Sequence, residues 1–134
     1  MKTILLIEDN ADILDNLTEF LEIEGYKILV ANNGKMGVEL ANEFIPDLII
    51  CDVYMRETDG HEVLRLLLKT AKTSEIPFIF STSMSQTIDR VTSLNLGADD
   101  YIVKPFELET LLKMAQYWIK SGSKRNGLTY RNVI

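Results

Sequence analysis

The chain has 134 residues, which is enough for one domain and too few for two ordinary ones. Hydrophobic residues make up 46% of it, so a sizeable core can be buried, and the formal net charge is −6. That acidic balance argues against direct binding of nucleic acid or of an anionic membrane surface, since both need a basic face. The single cysteine, Cys51, excludes an internal disulfide and fits a reducing cytoplasm. The first apolar run, residues 4–7, is too short for a signal peptide or a membrane span.

Short apolar runs and helical periodicities alternate along the chain. The apolar runs predict strands over residues 3–7, 26–31, 48–51, 77–80 and 101–103. Apolar residues recur at helical spacing in the segments between them, which predicts helices from Asn10 to Gly25, from Gly34 to Pro46, and over 61–68, 87–96 and 107–120. Strands without polar alternation, each followed by a helix, indicate a parallel sheet that is covered on both faces.

Right-handed crossovers then give an α/β fold in which a doubly wound, five-stranded parallel sheet of order 2-1-3-4-5 has helices on both faces, a flavodoxin-like arrangement. Sheets of this kind bind ligands at the carboxyl ends of their strands. Functional residues are therefore expected just after each predicted strand.

Charged and hydroxyl side chains follow four of the predicted strands. Glu8 and Asp9 follow the first strand, and Asp52 follows the third. Thr82 and Lys104 follow the fourth and fifth. Three crowded carboxylates repel one another unless a cation lies among them, and oxygen ligands favour Mg²⁺, with Mn²⁺ as the alternative. A metal-bound carboxylate beside a lysine and a hydroxyl is typical of a phosphoryl-transfer site.

The motifs around these residues resemble those of the receiver domains of two-component response regulators. They are Ile7-Glu8-Asp9-Asn10, Asp52-Val53-Tyr54-Met55 with Asp59-Gly60, Ser81-Thr82, and Gly97-Ala98-Asp99-Asp100-Tyr101-Ile102-Val103-Lys104-Pro105-Phe106. The resemblance covers about residues 2–120, which predicts a receiver domain over 1–120 and a linker or C-terminal tail over 121–134.

The resemblance implies that Asp52 accepts a phosphoryl group from a phosphohistidine. It implies that Glu8, Asp9 and Asp52 hold Mg²⁺ together with the backbone carbonyl of Tyr54. The domain would catalyse only its own phosphorylation and dephosphorylation, so it is not expected to be a turnover enzyme. The implied partner is a sensor histidine kinase or a phosphotransfer protein, and the signal would pass to an output domain or partner.

Further roles implied by the resemblance concern the switch. Thr82 and Lys104 would bind the phosphoryl oxygens, while Thr82 and Tyr101 would form the switch, with Tyr101 turning inward on activation. The Lys104-Pro105 peptide bond is often cis in this family.

The sequence departs from the family pattern in the loop after Asp52. Arg56 stands where proline is usual, so the loop after Asp52 is expected to be less rigid.

Met114 and Trp118 lie beside the apolar stripe of the last predicted helix, whose face is a candidate homodimer interface. The lone histidine, His61, is expected to be exposed at a helix start. Residues 121–127 suggest a flexible linker, and residues 128–134 begin either an output domain or a packed tail.

Three other functions compete with this interpretation. A phosphatase of the haloacid dehalogenase type needs a second aspartate two positions after the nucleophile, where Tyr54 stands. A flavodoxin-like redox protein needs a phosphate loop after the first strand, where Glu8 and Asp9 would repel the phosphate. A pseudo-receiver, acting only as an interaction module, would not need the complete set of five site residues, but this alternative stays open.

Overall fold

The computed structural model describes residues 1–83 and 87–125, excluding the side chains of residues 87–89. Its strands are β1 (Thr3–Ile7), β2 (Lys27–Ala31), β3 (Leu48–Asp52), β4 (Phe78–Thr82) and β5 (Asp100–Val103). Its helices are α1 (Ala11–Ile23), α2 (Gly34–Phe44), α3 (Gly60–Leu68), α4 (Ala71–Ser74), α5 (Thr87–Asn95) and α6 (Leu108–Ser121). The predicted alternation of strand and helix is confirmed, and the four-residue helix α4 is an element that the periodicity did not predict.

The strands form one parallel sheet in the predicted order, β2-β1-β3-β4-β5. The register pairs Ile7 of β1 with Cys51 of β3, and Asp52 with Ser81 of β4. Thr82 pairs in turn with Val103 of β5. The carboxyl ends of the four strands β1, β3, β4 and β5 therefore lie level at one edge of the sheet.

Two apolar cores lie on opposite faces of the sheet because successive strand side chains point to opposite sides. In β3, Ile49 and Cys51 face one core, whereas Leu48 and Ile50 face the other. The first core is covered by α2 and α3, and the second by α1 and α6. Each strand of this sheet is thus apolar on both sides, which explains the uninterrupted apolar runs in the sequence.

Side-chain caps begin three of the helices. Asn10 accepts the backbone N–H of Ile13 at 3.0 Å, and Asn33 accepts that of Met36 at 2.8 Å. Asp59 accepts the backbone N–H of His61 at 2.8 Å. These caps satisfy helix N–H groups that lack a partner within the helix, and they fix where the chain turns from each strand end into the next helix.

The expectation that His61 is exposed is wrong, because its side chain is buried in the first core. Its Nε2 lies 2.9 Å from the Oγ of Ser93 in α5, and its ring packs edge-on against Phe80 with the ring centroids 5.1 Å apart. Leu64 lies three residues after His61 and Leu68 four residues after Leu64, so the three side chains share one face of α3. The histidine therefore links α3 to α5.

The flexible-linker interpretation fails for residues 121–125. Ser121 still belongs to α6, and the side chains of Ser123 and Arg125 are buried against the domain. Residues 126–134, including the rest of the predicted linker and the predicted tail, lie outside the described residues.

Met114 and Trp118 of α6 are half-buried and pack against the second core. The Trp118 indole N–H also donates to Asp100 at 2.8 Å. This packing accounts for both side chains within the domain, so the homodimer interface stays a prediction. In the part of the chain that the structure describes, no helix has the length and apolar character needed to cross a bilayer.

Replacing Gly60 by alanine is expected to destabilise the fold by about 2 kcal/mol, in the range for overpacking. A Cβ at this position would lie 2.2 Å from the carbonyl oxygen of Asp52 and 2.9 Å from the Cα of Val53, and backbone atoms cannot move aside cheaply. Urea unfolding measures the change, with Gln116→Ala at an exposed position of α6 as the control. Equal stability of Gly60→Ala and the control would contradict the described contact between α3 and β3.

Candidate functional site

The level strand ends bring three carboxylates together at one edge of the sheet. Glu8 and Asp9 directly follow β1, and Asp52 is the last residue of β3. One oxygen from each of these side chains can be chosen so that all three lie within 4.8 Å of one another. The side chains of Glu8 and Asp52 are largely buried, at 4% and 9% exposure. Burying like charges so closely is unfavourable unless a cation compensates them.

Lys104 supplies a cation to this cluster. It follows β5, and its Nζ lies 2.5 Å from the Oε1 of Glu8 and 3.3 Å from the Oδ2 of Asp52. The Lys104-Pro105 peptide bond that follows is cis. The ammonium group therefore bridges two of the three carboxylates.

The crowding changes how Asp52 and Lys104 hold their protons. Burial raises the pKa of Asp52 from 3.8 to about 6, the charge of Glu8 adds to that increase, and Lys104 opposes it. Burial alone would lower the pKa of Lys104, but its bond to Glu8 and the charge of Asp52 raise it overall. Lys104 thus stays protonated at neutral pH, while Asp52 carries its charge at an energetic cost.

Backbone N–H groups hold the carboxylates of Glu8 and Asp9 in place. The N–H of Asn10 donates to the Oε2 of Glu8 at 3.1 Å, and the N–H of Arg56 donates to the Oδ2 of Asp9 at 3.0 Å. The exposed guanidinium of Arg56 lies 3.7 Å from the same Asp9 oxygen. A proline at position 56 would have no N–H to donate, so the departure noted in the sequence gives Asp9 an additional contact.

Thr82 and Tyr101 lie on neighbouring strands near this edge. Thr82 is the last residue of β4 and is fully buried. Its carbonyl accepts a hydrogen bond from the N–H of Lys104 at 2.7 Å. Tyr101 is in β5 and is buried in the first core, with 9% of its surface exposed. The loop that joins Thr82 to α5 includes residues 84–86, which lie outside the described residues.

Tyr54 lies two residues after Asp52, and 48% of its surface is exposed. Tyr54 forms an isolated antiparallel bridge with Asp59, which returns the loop after β3 to the start of α3. A cleft of about 320 Å³ opens beside this loop, lined by Asp9, Asn32, Asn33, Met55, Arg56 and Glu57.

A second, mostly apolar cavity of about 430 Å³ lies beside Lys104. The side chains of α1 and of the segment after β5 form its wall. They are Ile13, Asn16, Leu17, Ser83, Lys104, Pro105, Phe106 and Leu108. Sequence reasoning did not identify this cavity, because it lies between α1 and a loop that are far apart along the chain.

The set of side chains at this edge limits the chemistry it can perform. Carboxylate oxygens grouped in this way suit a hard divalent cation. A carboxylate with a neighbouring ammonium group suits attack on a phosphoryl group whose oxygens the cation and the ammonium would neutralise.

The comparisons with known proteins agree with this fold. The chain is 41% identical over 113 residues to the protein PilH of Pseudomonas aeruginosa, covering 84% of this chain and 93% of that protein. It is 40% identical over 130 residues to the uncharacterized transcriptional regulatory protein YkoG of Bacillus subtilis, covering 97% of this chain and 54% of that protein. The chain therefore spans about half the length of the transcriptional regulator and nearly all of PilH.

A solved structure shares the architecture. The receiver domain of the sensor histidine kinase PA1611 of Pseudomonas aeruginosa superposes with a TM-score of 0.82 at 28% identity, covering 89% of this chain and 98% of that one. In that structure, a magnesium ion is coordinated in the active-site cleft. The sequence model of the response regulator receiver domain matches residues 4–116 here. On the sheet order and this match, the chain belongs to the response regulator receiver domain family.

Proposed function

We propose that this receiver accepts a phosphoryl group from a phosphohistidine onto Asp52 and changes conformation in response. The observation that carries the proposal is the position of Asp52, which ends a central strand within a buried cluster of carboxylates and lies 3.3 Å from Lys104. Phosphorylation would replace the charged Asp52 side chain by an acyl phosphate whose oxygens Lys104 can neutralise.

In the proposed reaction, a carboxylate oxygen of Asp52 attacks phosphorus as the bond from phosphorus to the donor imidazole nitrogen breaks. The electron pair of that bond goes to the imidazole. Lys104 moves its charge from the carboxylates towards the phosphoryl oxygens, and the Thr82 hydroxyl at the end of β4 donates to one of them. Attack needs the ionised form of Asp52, which predominates above its pKa of about 6.

The residues at the strand ends fit a magnesium ion, with manganese as the alternative. The ligands would be the carboxylates of Glu8, Asp9 and Asp52 and the backbone carbonyl of Tyr54. One oxygen from each of the three carboxylates can be chosen so that all three lie within 4.8 Å of one another. When bound, the ion would neutralise charge on the phosphoryl oxygens.

We infer that the phosphodonor is a sensor histidine kinase or a phosphotransfer protein. The mostly apolar cavity beside Lys104 supports this inference, because a protein donor could bury apolar side chains there while its phosphohistidine reaches the site. Thr82 and Tyr101 would form the switch, passing the phosphorylated state to an output domain or partner. The pseudo-receiver alternative gains no support, since the chain retains Glu8, Asp9, Asp52, Thr82 and Lys104.

Asp52→Asn is expected to abolish phosphorylation by acetyl phosphate in the presence of Mg²⁺. The amide cannot act as the nucleophile, whereas Asp9→Asn keeps the acceptor and should only slow the reaction. Mass spectrometry of the intact protein measures the incorporated phosphoryl group. Stoichiometric phosphorylation of Asp52→Asn would show that another residue is the acceptor.

Mg²⁺ is expected to raise the melting temperature by binding only to the folded state. The cation relieves the repulsion among Glu8, Asp9 and Asp52, so the increase should follow the Mg²⁺ concentration and saturate. In Asp9→Ala, which should remain folded, the increase should be lost. Thermal melts with Mg²⁺ and with EDTA measure it, and an equal Mg²⁺ response in the mutant and the wild type would exclude Asp9 as a ligand.

Stability without metal is expected to depend on the protonation of Asp52. The folded pKa of about 6 exceeds the value of 3.8 for the unfolded chain, so folded protein binds more protons between these values and stability falls as pH rises through that window. Asp52→Asn should therefore raise stability at pH 8 by about 1–3 kcal/mol, from 1.36 kcal/mol per pKa unit, and change it little at pH 4.

Thermal melts in EDTA at both pH values measure this effect. Glu19→Gln, at an exposed position of α1, is the control for loss of one negative charge. A gain that is the same at pH 4 and pH 8, or no larger than that of Glu19→Gln, would show that the Asp52 carboxylate is not destabilised by its surroundings.

A further inference from the structure

The guanidinium of Arg125 is buried at the end of the sheet opposite to the acidic cluster. Its side chain is 5% exposed, and all three nitrogens donate hydrogen bonds. Nη1 donates to the carboxylate of Asp99 at 3.1 Å and to the carbonyl of Gly97. Nη2 donates to the carbonyl of Ile76 at 2.6 Å, and Nε donates to that of Ser74 at 3.3 Å. Two of these four acceptors lie at the end of α4 and just before β4, and the other two lie just before β5.

The four acceptors form a pocket around the Arg125 guanidinium. Asp99 is the charged residue among them, and its side chain has no exposed surface. Its Oδ2 also accepts the N–H of Phe78, the first residue of β4, at 2.9 Å. Its Oδ1 accepts the Ser123 hydroxyl at 2.9 Å and the Lys124 N–H at 2.8 Å. The carboxylate therefore ties the start of β4 to the segment that follows α6.

The pocket suits a guanidinium better than an ammonium group. Carbonyl and carboxylate oxygens approach Arg125 from several directions, matching the planar set of donors that a guanidinium presents. Burial lowers the pKa of Arg125 and Asp99 opposes that decrease, so the group stays charged at neutral pH. Without a cation, the Asp99 carboxylate would be buried beside three carbonyls and lack its charge partner.

The pocket and its occupant come from different parts of the chain. Ser74, Ile76, Gly97 and Asp99 lie within residues 4–116, which match the receiver family, whereas Arg125 lies beyond them. The position of the arginine outside the matched range suggests that the extension after α6 supplies a ligand to a site on the domain.

We propose that Asp99 and the carbonyls of Ser74, Ile76 and Gly97 form a guanidinium-binding site whose occupation by Arg125 holds residues 122–125 on the domain. Vacating the site would release residues 122–125 from the domain. The proposal does not depend on phosphorylation or on Mg²⁺.

Chemical rescue of the Arg125→Ala variant of this 134-residue chain tests the site. The substitution leaves Asp99 buried without its charge partner, and the melting temperature should fall by about 10 °C. Millimolar ethylguanidinium should then raise the melting temperature of the variant in a saturable way and leave the wild type unchanged. Ethylammonium, with the same charge but fewer donors, should restore much less, and Arg125→Lys should stay close to Arg125→Ala.

Equal effects of ethylguanidinium and ethylammonium on the variant, or no rescue by either, would overturn the proposal. If Arg125→Ala does not fold, hydrogen exchange of the wild-type protein decides. The Lys124 amide, which donates to Asp99, should then exchange at least about tenfold more slowly than in an unfolded chain. Exchange at the unfolded rate would overturn the proposal in the same way.

Discussion

Repulsion among three carboxylates at one edge of the sheet is the constraint on which the functional part of this molecule depends. Glu8 and Asp52 are buried, and Lys104 is the one cation that contacts them among the residues the structure describes; Asp9 completes the group. One buried ammonium group and the exposed guanidinium of Arg56 do not balance three negative charges in full, and the raised pKa of Asp52 reflects its burial beside Glu8. A divalent cation and then a phosphoryl group would each change this balance, so the domain has a physical means of responding to both.

Packing and hydrogen bonds in the rest of the fold offset the electrostatic cost of the acidic edge. Strands that are apolar on both faces pack against a core on each side, and their register brings Asp52, Thr82 and Lys104 level with Glu8. The close contact of Gly60 with the backbone of β3 fixes the first turn of α3 directly behind Asp52. At the far end, Arg125 joins the starts of β4 and β5 through Asp99. The strained edge is thus supported by a well-packed body.

The fold and the grouping of acids could be predicted because both follow from local patterns. Uninterrupted apolar runs that end at Glu8, Asp52 and Lys104 predict buried parallel strands, and parallel strands bring those ends together. The contacts of His61 and Arg125 could not be predicted in this way. Each is a polar side chain that is satisfied by groups distant in sequence, Ser93 in one case and Asp99 with three carbonyls in the other. The composition of residues 121–125 predicts a linker. Only the hydrogen-bond acceptors that the folded domain brings to Arg125 contradict that prediction.

Proton release on Mg²⁺ binding tests most directly whether the strained acid cluster is the metal site. If the ion binds at Asp52, whose metal-free pKa is about 6, binding at pH 6 must displace the proton held by about half of the molecules. Calorimetric titrations at pH 6 in buffers of different ionisation enthalpy should give about half a proton released per ion, falling to nearly zero at pH 8. Binding with no proton release at pH 6 would contradict the account.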